Sequence, residues 1–240
     1  MNSLLCDLHT HTLDDPRDHH VWHKAEELID EAAKKHYGAL AVTLHGKQVF
    51  SESWRQYAAD RGITLIPGVE QDIEGCHVLL LNFDRDAADG IRNFQELAKA
   101  RRPENLVIAA HPYFPGEICL GDKLLEYAEC FDAIEVTGFY HPYWDPNQKA
   151  LRVAKQLAKP VVGNSDTHAL SQFGKTASFI AVEGDTTPLS IVQAIKAGRV
   201  TVASRALKAW EMALIGYQVV GRGYFPWVNY KRRRGHSASV

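Results

Sequence analysis

The sequence predicts an α/β domain built on a mainly parallel sheet, either closed as a barrel or left open and doubly wound. Short apolar runs alternate with longer amphipathic ones along most of the 240 residues. Repeated strand–helix–strand order favours parallel pairing through crossover helices. Histidines and carboxylates recur just past the ends of the apolar runs, which is where parallel folds bind their ligands.

The elements follow in order. Leu4–Leu8 reads as a strand, and Ala25–His36 as a helix with Leu28, Ile29, Ala32 and Ala33 at helical spacing. Gly38 is its expected stop. Ala39–Thr43 is the next strand, Ser51–Asp60 a helix and Ile63–Ile66 a strand. His77–Phe83 is a strand, Ala87–Ala100 a helix and Leu106–Ala110 a strand. Leu120–Cys130 is a helix and Ala133–Val136 a strand. Pro146 opens a helix to about Ala158, with proline in the first turn where its missing N–H is harmless. Pro160–Val162 and Ser178–Val182 are strands, Pro188–Lys196 a helix and Val200–Ala203 the last strand. Some seven of these strands suffice for a barrel. No glycine fingerprint for a dinucleotide follows the first strand. Residues 1–205 are expected to form one domain, and 206–240 an extension. The extension is first aromatic (Tyr217, Tyr224, Phe225, Trp227, Tyr230) and then basic (Lys231–Arg234).

Composition narrows the function. A net charge of -2 supplies no basic field for nucleic acid, and no run is long and apolar enough to span a bilayer. Cys6, Cys76, Cys119 and Cys130 form no Cys-x-x-Cys pair, so reduced thiols in a cytoplasm are expected. Histidine stands out: 12 residues is about twice ordinary usage.

Position decides what these histidines mean. His9 and His11 follow the first strand at i and i+2, so both imidazoles share one face of an extended chain. His45 follows the second strand, Glu70 the third and His111 the fifth. His141 lies past Val136, and Asp166 and His168 follow Val161–Val162. A lone histidine at a strand end is more often structural than a ligand, but eight positions on one face disfavour that reading. Imidazole and carboxylate suit zinc, iron or manganese. Eight such groups exceed one ion's needs, so two or three divalent ions are implied, with a carboxylate such as Glu70 bridging. Adjacent ions suit displacement at phosphorus, although amide hydrolysis is also compatible.

Asp7-Leu8-His9-Thr10-His11-Thr12, Thr43-Leu44-His45-Gly46, Pro67-Gly68-Val69-Glu70, Ala110-His111-Pro112, Ile134-Glu135-Val136 and Gly163-Asn164-Ser165-Asp166-Thr167-His168 resemble, in that order, the motifs of the PHP (polymerase and histidinol phosphatase) superfamily. The resemblance covers residues from about 4 to 205. It implies a distorted (β/α)7 barrel with three divalent metal ions at the C-terminal ends of the strands. It puts one ion on His9, His11, Glu70 and Asp166, and a second between Glu70, His111 and His141. The third takes His45, His168 and a residue of the loop after the first motif, for which His20 fits best; His19, Asp15, Asp18 and His23 are rivals. Glu70, His111, Asp166 and His168 are the expected catalytic residues. Asp7 and Glu135 are expected to orient ligating imidazoles. Lys47 and Arg205 are candidates to hold a substrate phosphate. His77, inside an apolar strand, reads as a core histidine, and His36 and His236 as surface residues. One departure stands out: the family's Thr-Asp-His is Thr43-Leu44-His45 here, removing an aspartate that would orient a ligand.

The expected activity is hydrolysis of the phosphate monoester of a small soluble molecule at a trinuclear site. A nuclease or nucleotide phosphatase acting on oligonucleotide ends is the alternative, supported by the aromatic and basic extension. A non-catalytic metal-binding module is a third reading, which rests on Leu44.

Overall fold

The computed structural model describes residues 2–221. Tyr224, Phe225, Trp227, Tyr230, the basic run Lys231–Arg234 and His236 lie outside the described residues. No described helix is long and apolar enough to cross a membrane.

The strands are β1 (Asn2–Asp7), β2 (Tyr37–Val42), β3 (Thr64–Ile73), β4 (Cys76–Leu81), β5 (Leu106–Ala109), β6 (Ala133–Thr137), β7 (Val161–Asn164), β8 (Thr176–Val182) and β9 (Val200–Ser204). The helices are α1 (Ala25–Lys34), α2 (Glu52–Ala59), α3 (Arg85–Gly90), α4 (Phe94–Ala100), α5 (Lys123–Glu126), α6 (Asn147–Gln156), α7 (Pro188–Lys196) and α8 (Ala209–Gly216). All nine strands join one sheet in the order β7-β6-β5-β4-β3-β2-β1-β8-β9.

The sheet is mixed rather than mainly parallel. The pairs β1–β2, β2–β3, β5–β6 and β6–β7 are parallel, whereas β3–β4, β4–β5, β1–β8 and β8–β9 are antiparallel. The reversal starts at Glu74-Gly75, whose φ values of 51° and 80° make a two-residue hairpin turn of the kind that matches strand twist. β3 therefore runs on through Pro67-Gly68 to Ile73 instead of ending at Ile66, and Glu70 lies inside it.

Helix boundaries also differ from expectation. α1 is stopped by His36, which takes the left-handed conformation (φ 60°), and Gly38 belongs to β2. At Gly38 a Cβ would come within 2.8 Å of Leu4 Cδ2, so close strand packing explains that glycine. The expected helix Ala87–Ala100 is two helices, because the Asn93 side chain accepts the Glu96 N–H and caps α4 afresh.

The sheet curls into a nearly closed barrel with an apolar interior. Leu8, Ala39, Ala41, Ile66, Leu79, Ile108, Ala133, Val162 and Ile180 cluster with Ile191, Val192 and Ile195 of α7. Lys196 at the end of α7 donates to the Pro103 carbonyl, just before β5, so α7 plugs the end where the parallel strands begin. The other end is closed by polar chain. Thr10 bridges Thr167, the Leu8 N–H donates to Asn164 Oδ1 at 2.9 Å, and the Ser165 N–H donates to Asp7 Oδ1 at 3.2 Å. These bonds join the end of β1 to the end of β7 and bring the first and last histidine motifs together.

Closure also requires a glycine. A Cβ on Gly163 would lie 2.7 Å from Val202 Cγ1, 2.9 Å from Thr176 Cγ2 and 3.0 Å from the Ala177 carbonyl oxygen. Gly163→Ala is expected to destabilise the fold by about 1–3 kcal/mol through overpacking. Gly90→Ala, with nothing within 4 Å of the new methyl, is the control expected to leave stability unchanged or raised. Urea unfolding midpoints of the two variants check this.

Candidate metal centre

The site is built where β1, β2, β5, β6 and β7 end and β3 passes beneath. Glu70 is at its middle, 1% exposed. Its Oε2 lies 3.2 Å from His9 Nε2, 3.3 Å from His11 Nε2 and 3.0 Å from His45 Nε2. Its Oε1 lies 2.7 Å from His77 Nδ1 and 3.3 Å from His111 Nε2. Asp166 Oδ1 lies 3.4 Å from His9 Nε2 and 3.3 Å from both His11 Nε2 and His168 Nδ1. Four overlapping groups each place their donor atoms within 4.8 Å: His11, Asp18, His45 and His168; His9, His111 and Glu135; His9, His11 and Glu70; His45, Glu70 and His77.

These donors fit divalent metal better than they fit one another. His9 Nε2, His11 Nε2, His77 Nδ1 and Asp166 Oδ1 are fully buried, yet none has hydrogen-bond geometry with any neighbour. Each is within ion-pair distance of a carboxylate or imidazole but is not aligned on it, the arrangement expected of atoms that share one cation. An orphaned buried polar atom costs about 1–3 kcal/mol, so four at one point imply a ligand. The donor set of imidazole and carboxylate, without thiolate, suits zinc, iron or manganese.

Charge points the same way. Burial pushes Glu70 toward its neutral form, but His9, His77, His45 and His11 around it hold its carboxyl well below the usual range. Burial likewise disfavours charge on His9, yet Glu135, Glu70 and Asp166 raise it well above the ordinary imidazole value. Burial opposes charge on His45 too, but Glu70 and Asp15 push it up to about 9. In the metal-free protein the His45 contribution to stability is therefore fully present below about pH 6.5 and lost as pH rises through about 9. A metal must displace that proton. Metal affinity is therefore expected to rise with pH through neutrality, by about tenfold per unit for each proton released. Zinc or manganese titrations at several pH values check this, and affinity that falls with rising pH would contradict it.

A second layer of groups holds the ligands. Glu135 Oε1 accepts from His9 Nδ1 at 3.0 Å and from Asn164 at 2.7 Å, while its Oε2 accepts the His111 N–H at 2.7 Å. Asp7 touches no imidazole nitrogen in this way. It accepts the backbone N–H groups of His9 and Ser165, and burial pushes its carboxyl up to about 7. Asp15 Oδ2 serves two ligands, accepting from His11 Nδ1 at 2.9 Å and His45 Nδ1 at 3.0 Å, and also the His45 N–H at 3.0 Å. Leu44, by contrast, is fully buried among Leu28, Leu40 and Leu65. The orienting carboxylate that the second motif lacks is thus supplied from the loop after the first motif.

That loop is tied down by His23, whose Nε2 bonds the His11 carbonyl at 2.8 Å and whose ring burial lowers to about 4, keeping it neutral. The loop brings Asp18 among the donors, with Oδ2 2.6 Å from His168 Nε2 and 3.3 Å from His45 Nδ1, while the buried Nε2 of His20 also lacks a hydrogen-bond partner. His20 stacks on His168 at 5.3 Å between ring centroids and belongs to none of the four groups. The turn at Asp15, whose Oδ1 accepts the N–H groups of Arg17 and Asp18, sets this register.

Three other sequence expectations fall elsewhere. His141 is drawn into a turn with Trp144 and lies tilted against Tyr143, and it is in none of the four groups. Lys47 is exposed and does not line the cavity above the site. Arg205 is held by Glu211, through contacts of 2.6 and 2.8 Å, rather than being free for a phosphate. His77, read from sequence as a core residue, faces Glu70 instead. Its place inside β4, opposite Asp72 on the long β3, could not be seen while β3 was taken to end at Ile66.

Two site residues carry left-handed backbone: His111 (φ 25°) and Asp166 (φ 50°). Such conformations cost of the order of 1–3 kcal/mol each and persist where the surroundings fix them. Here the bond from the His111 N–H to Glu135 and the Thr10–Thr167 bridge do so.

A large cavity opens over the centre. Its floor is His45, Glu70, His77, His111, Asp166 and His168, and Arg17 is the one Lys or Arg among its described lining residues.

Comparison with known proteins accords with this architecture. Residues 144–200 match the family model described as PHP-associated. An uncharacterized protein of Methanocaldococcus jannaschii is 26% identical over 131 residues, covering 54% of this chain and 75% of that protein. A two-domain protein of Bacteroides vulgatus, described as containing a predicted PHP-like metal-dependent phosphoesterase, superposes with a TM-score of 0.65 at 18% identity, over 91% of this chain and 70% of that one. PsfC from Pseudomonas syringae superposes with a TM-score of 0.65 at 20% identity, over 94% of this chain and 100% of that one. At these identities the likeness shows the fold: a nearly closed, distorted α/β barrel shared with PHP-like proteins.

Proposed function

We propose that this protein is a metal-dependent phosphoesterase that hydrolyses the phosphate monoester of a small soluble molecule at a site for three divalent ions. The observation that supports it best is the convergence of orphaned imidazole and carboxylate atoms on Glu70 beneath an open cavity. The proposed ligands are His9, His11, His45, Glu70, His111, Asp166 and His168, with Asp18 and His77 in the places first expected for His20 and His141. Divalent ions in such a site supply Lewis-acid charge for phosphate oxygens and an activated water.

The chain's own residues do the positioning. Glu70, reached by five imidazoles, fixes the spacing of the neighbouring donor groups. Glu135 and Asp15 lock the tautomers of His9, His11 and His45 by accepting their Nδ1–H groups. Arg17, half exposed at the cavity rim, is placed to meet a phosphate entering from solvent. Of the aromatic and basic tail on which an oligonucleotide substrate would rest, Tyr217 is exposed just after α8, and the other aromatic and basic residues lie outside the described ones.

The test is a screen of phosphomonoesters and short oligonucleotides with added manganese, iron or zinc, beside a His111→Ala control. Monoester hydrolysis that needs metal and is lost in the control is expected. Metal-loaded protein that cleaves no ester would sink the proposal, and full activity in the control would sink the site.

A further inference from the structure

Helix α8 has the reverse polarity of an ordinary surface helix. Its single acid, Glu211, is 4% exposed and is held against the domain. There it accepts from Lys175 at 2.8 Å, from Arg205 at 2.6 and 2.8 Å and from the Lys208 N–H at 2.9 Å. Ile215 is buried as well. The apolar residues of the other side face solvent instead. Trp210 is 62% exposed, Leu214 39%, and Tyr217, which directly follows the helix, 67%. With exposed Ala213 they stand at i, i+3, i+4 and i+7, the spacing of a single helical stripe. No Lys or Arg interrupts that stripe. Surface helices normally turn such a stripe inward, so an outward one marks a contact surface.

Size and charge narrow what the stripe meets. An eight-residue helix is about 12 Å long, and one face of it falls well short of the roughly 800 Å² per partner that a stable protein interface buries. A lipid–water boundary asks for less area, and Trp, Tyr and Leu are the side chains that settle there. The sequence after Glu211 adds charge of one sign: it carries Arg222 and the run Lys231–Arg234 and no Asp or Glu, in a chain whose net charge is -2. Such a run is drawn to anionic lipid. A single-stranded nucleic acid would call for cations beside its stacking faces, and the stripe has none. We propose that α8 and the aromatic and basic sequence after it form a docking surface for an anionic lipid bilayer. Trp210, Leu214 and Tyr217 supply the apolar contact, and the basic run supplies the attraction to lipid charge. The proposal is independent of the reaction assigned to the metal centre.

The test is flotation of the full chain with vesicles of phosphatidylcholine alone or of equal parts phosphatidylcholine and phosphatidylglycerol. Binding to the anionic vesicles is expected to be at least about tenfold tighter, and to weaken as salt is raised. Replacing Lys231–Arg234 by glutamines is expected to remove most of that preference. Trp210→Ser combined with Leu214→Ser is expected to weaken binding to anionic vesicles by about tenfold, with both positions exposed enough for the fold to persist. Lipid brominated near the headgroup is expected to quench tryptophan fluorescence in the unaltered protein, and less of it in Trp210→Phe, a variant that keeps the ring and the apolar contact. Equal binding to both vesicle types, binding to neither, or quenching unchanged in Trp210→Phe would overturn the proposal. So would capture of a single-stranded oligonucleotide without vesicle binding, or a dimer broken by Leu214→Ser without vesicle binding.

Discussion

Glu70→Gln is expected to lower kcat by roughly 10³-fold, the scale on which a preorganised electrostatic contact in an active site acts. The substitution keeps volume and hydrogen-bonding capacity but removes the one carboxylate that His9, His11, His45, His77 and His111 all approach. With it goes the negative charge that holds neighbouring cations together, so bound metal should fall along with activity. The fold should survive, because Glu70 keeps its backbone pairing to Leu79 and its N–H bond to the Leu44 carbonyl. Steady-state kinetics beside metal content and circular dichroism check this. Unchanged turnover with full metal content would remove Glu70 from the centre of the account.

Asp15→Asn is expected to weaken metal binding by about 10–100-fold, the usual cost of losing a group that orients ligands. One carboxylate oxygen accepts from both His11 Nδ1 and His45 Nδ1, so the substitution frees two ligands at once. The group most affected should be His11, Asp18, His45 and His168, because the same side chain sets the turn that delivers Asp18. Competition against a chelator should therefore show one weakened class of ion and others little changed. Asp14→Asn is the control: Asp14 is exposed and accepts the Thr12 hydroxyl at 3.3 Å.

Much of this architecture could be read from the residues. The alternation of elements, the i and i+2 spacing in His9-x-His11 and Asp166-x-His168, and the lone His45 and His111 after apolar runs all reflect local physics. A strand end fixes where the next side chain points, whatever the rest of the fold does. What was not legible depends on how segments turn and pair. The reversal at Glu74-Gly75 makes β3 and β4 a hairpin, and only that pairing turns His77 from a core residue into a neighbour of Glu70. The loop turn is set by Asp15 accepting the Arg17 and Asp18 N–H groups, which brings Asp18 beside His168 and His45, and spacing alone could not show that.

Leu44 is the most instructive residue. Read as a departure from Thr-Asp-His, it removes an orienting aspartate and supports the reading of a non-catalytic module. In the fold its side chain turns into the core with Leu28 and Leu40, on the face away from the donors. The orienting carboxylate comes instead from Asp15, a loop residue whose partner His45 lies 30 positions away. Arg205 teaches the converse. Its guanidinium looked suited to a phosphate, but Glu211 engages it in a two-pronged contact and ties the start of α8 to the end of β9.

The most direct test of the account is a count of bound metal. Protein purified without chelator, reloaded with manganese or zinc and freed of excess ion, should hold about three divalent ions per chain by elemental analysis. Glu70→Gln should hold fewer under the same conditions. A content near zero in the unaltered protein under saturating metal would contradict the claim that these orphaned donors form a metal centre.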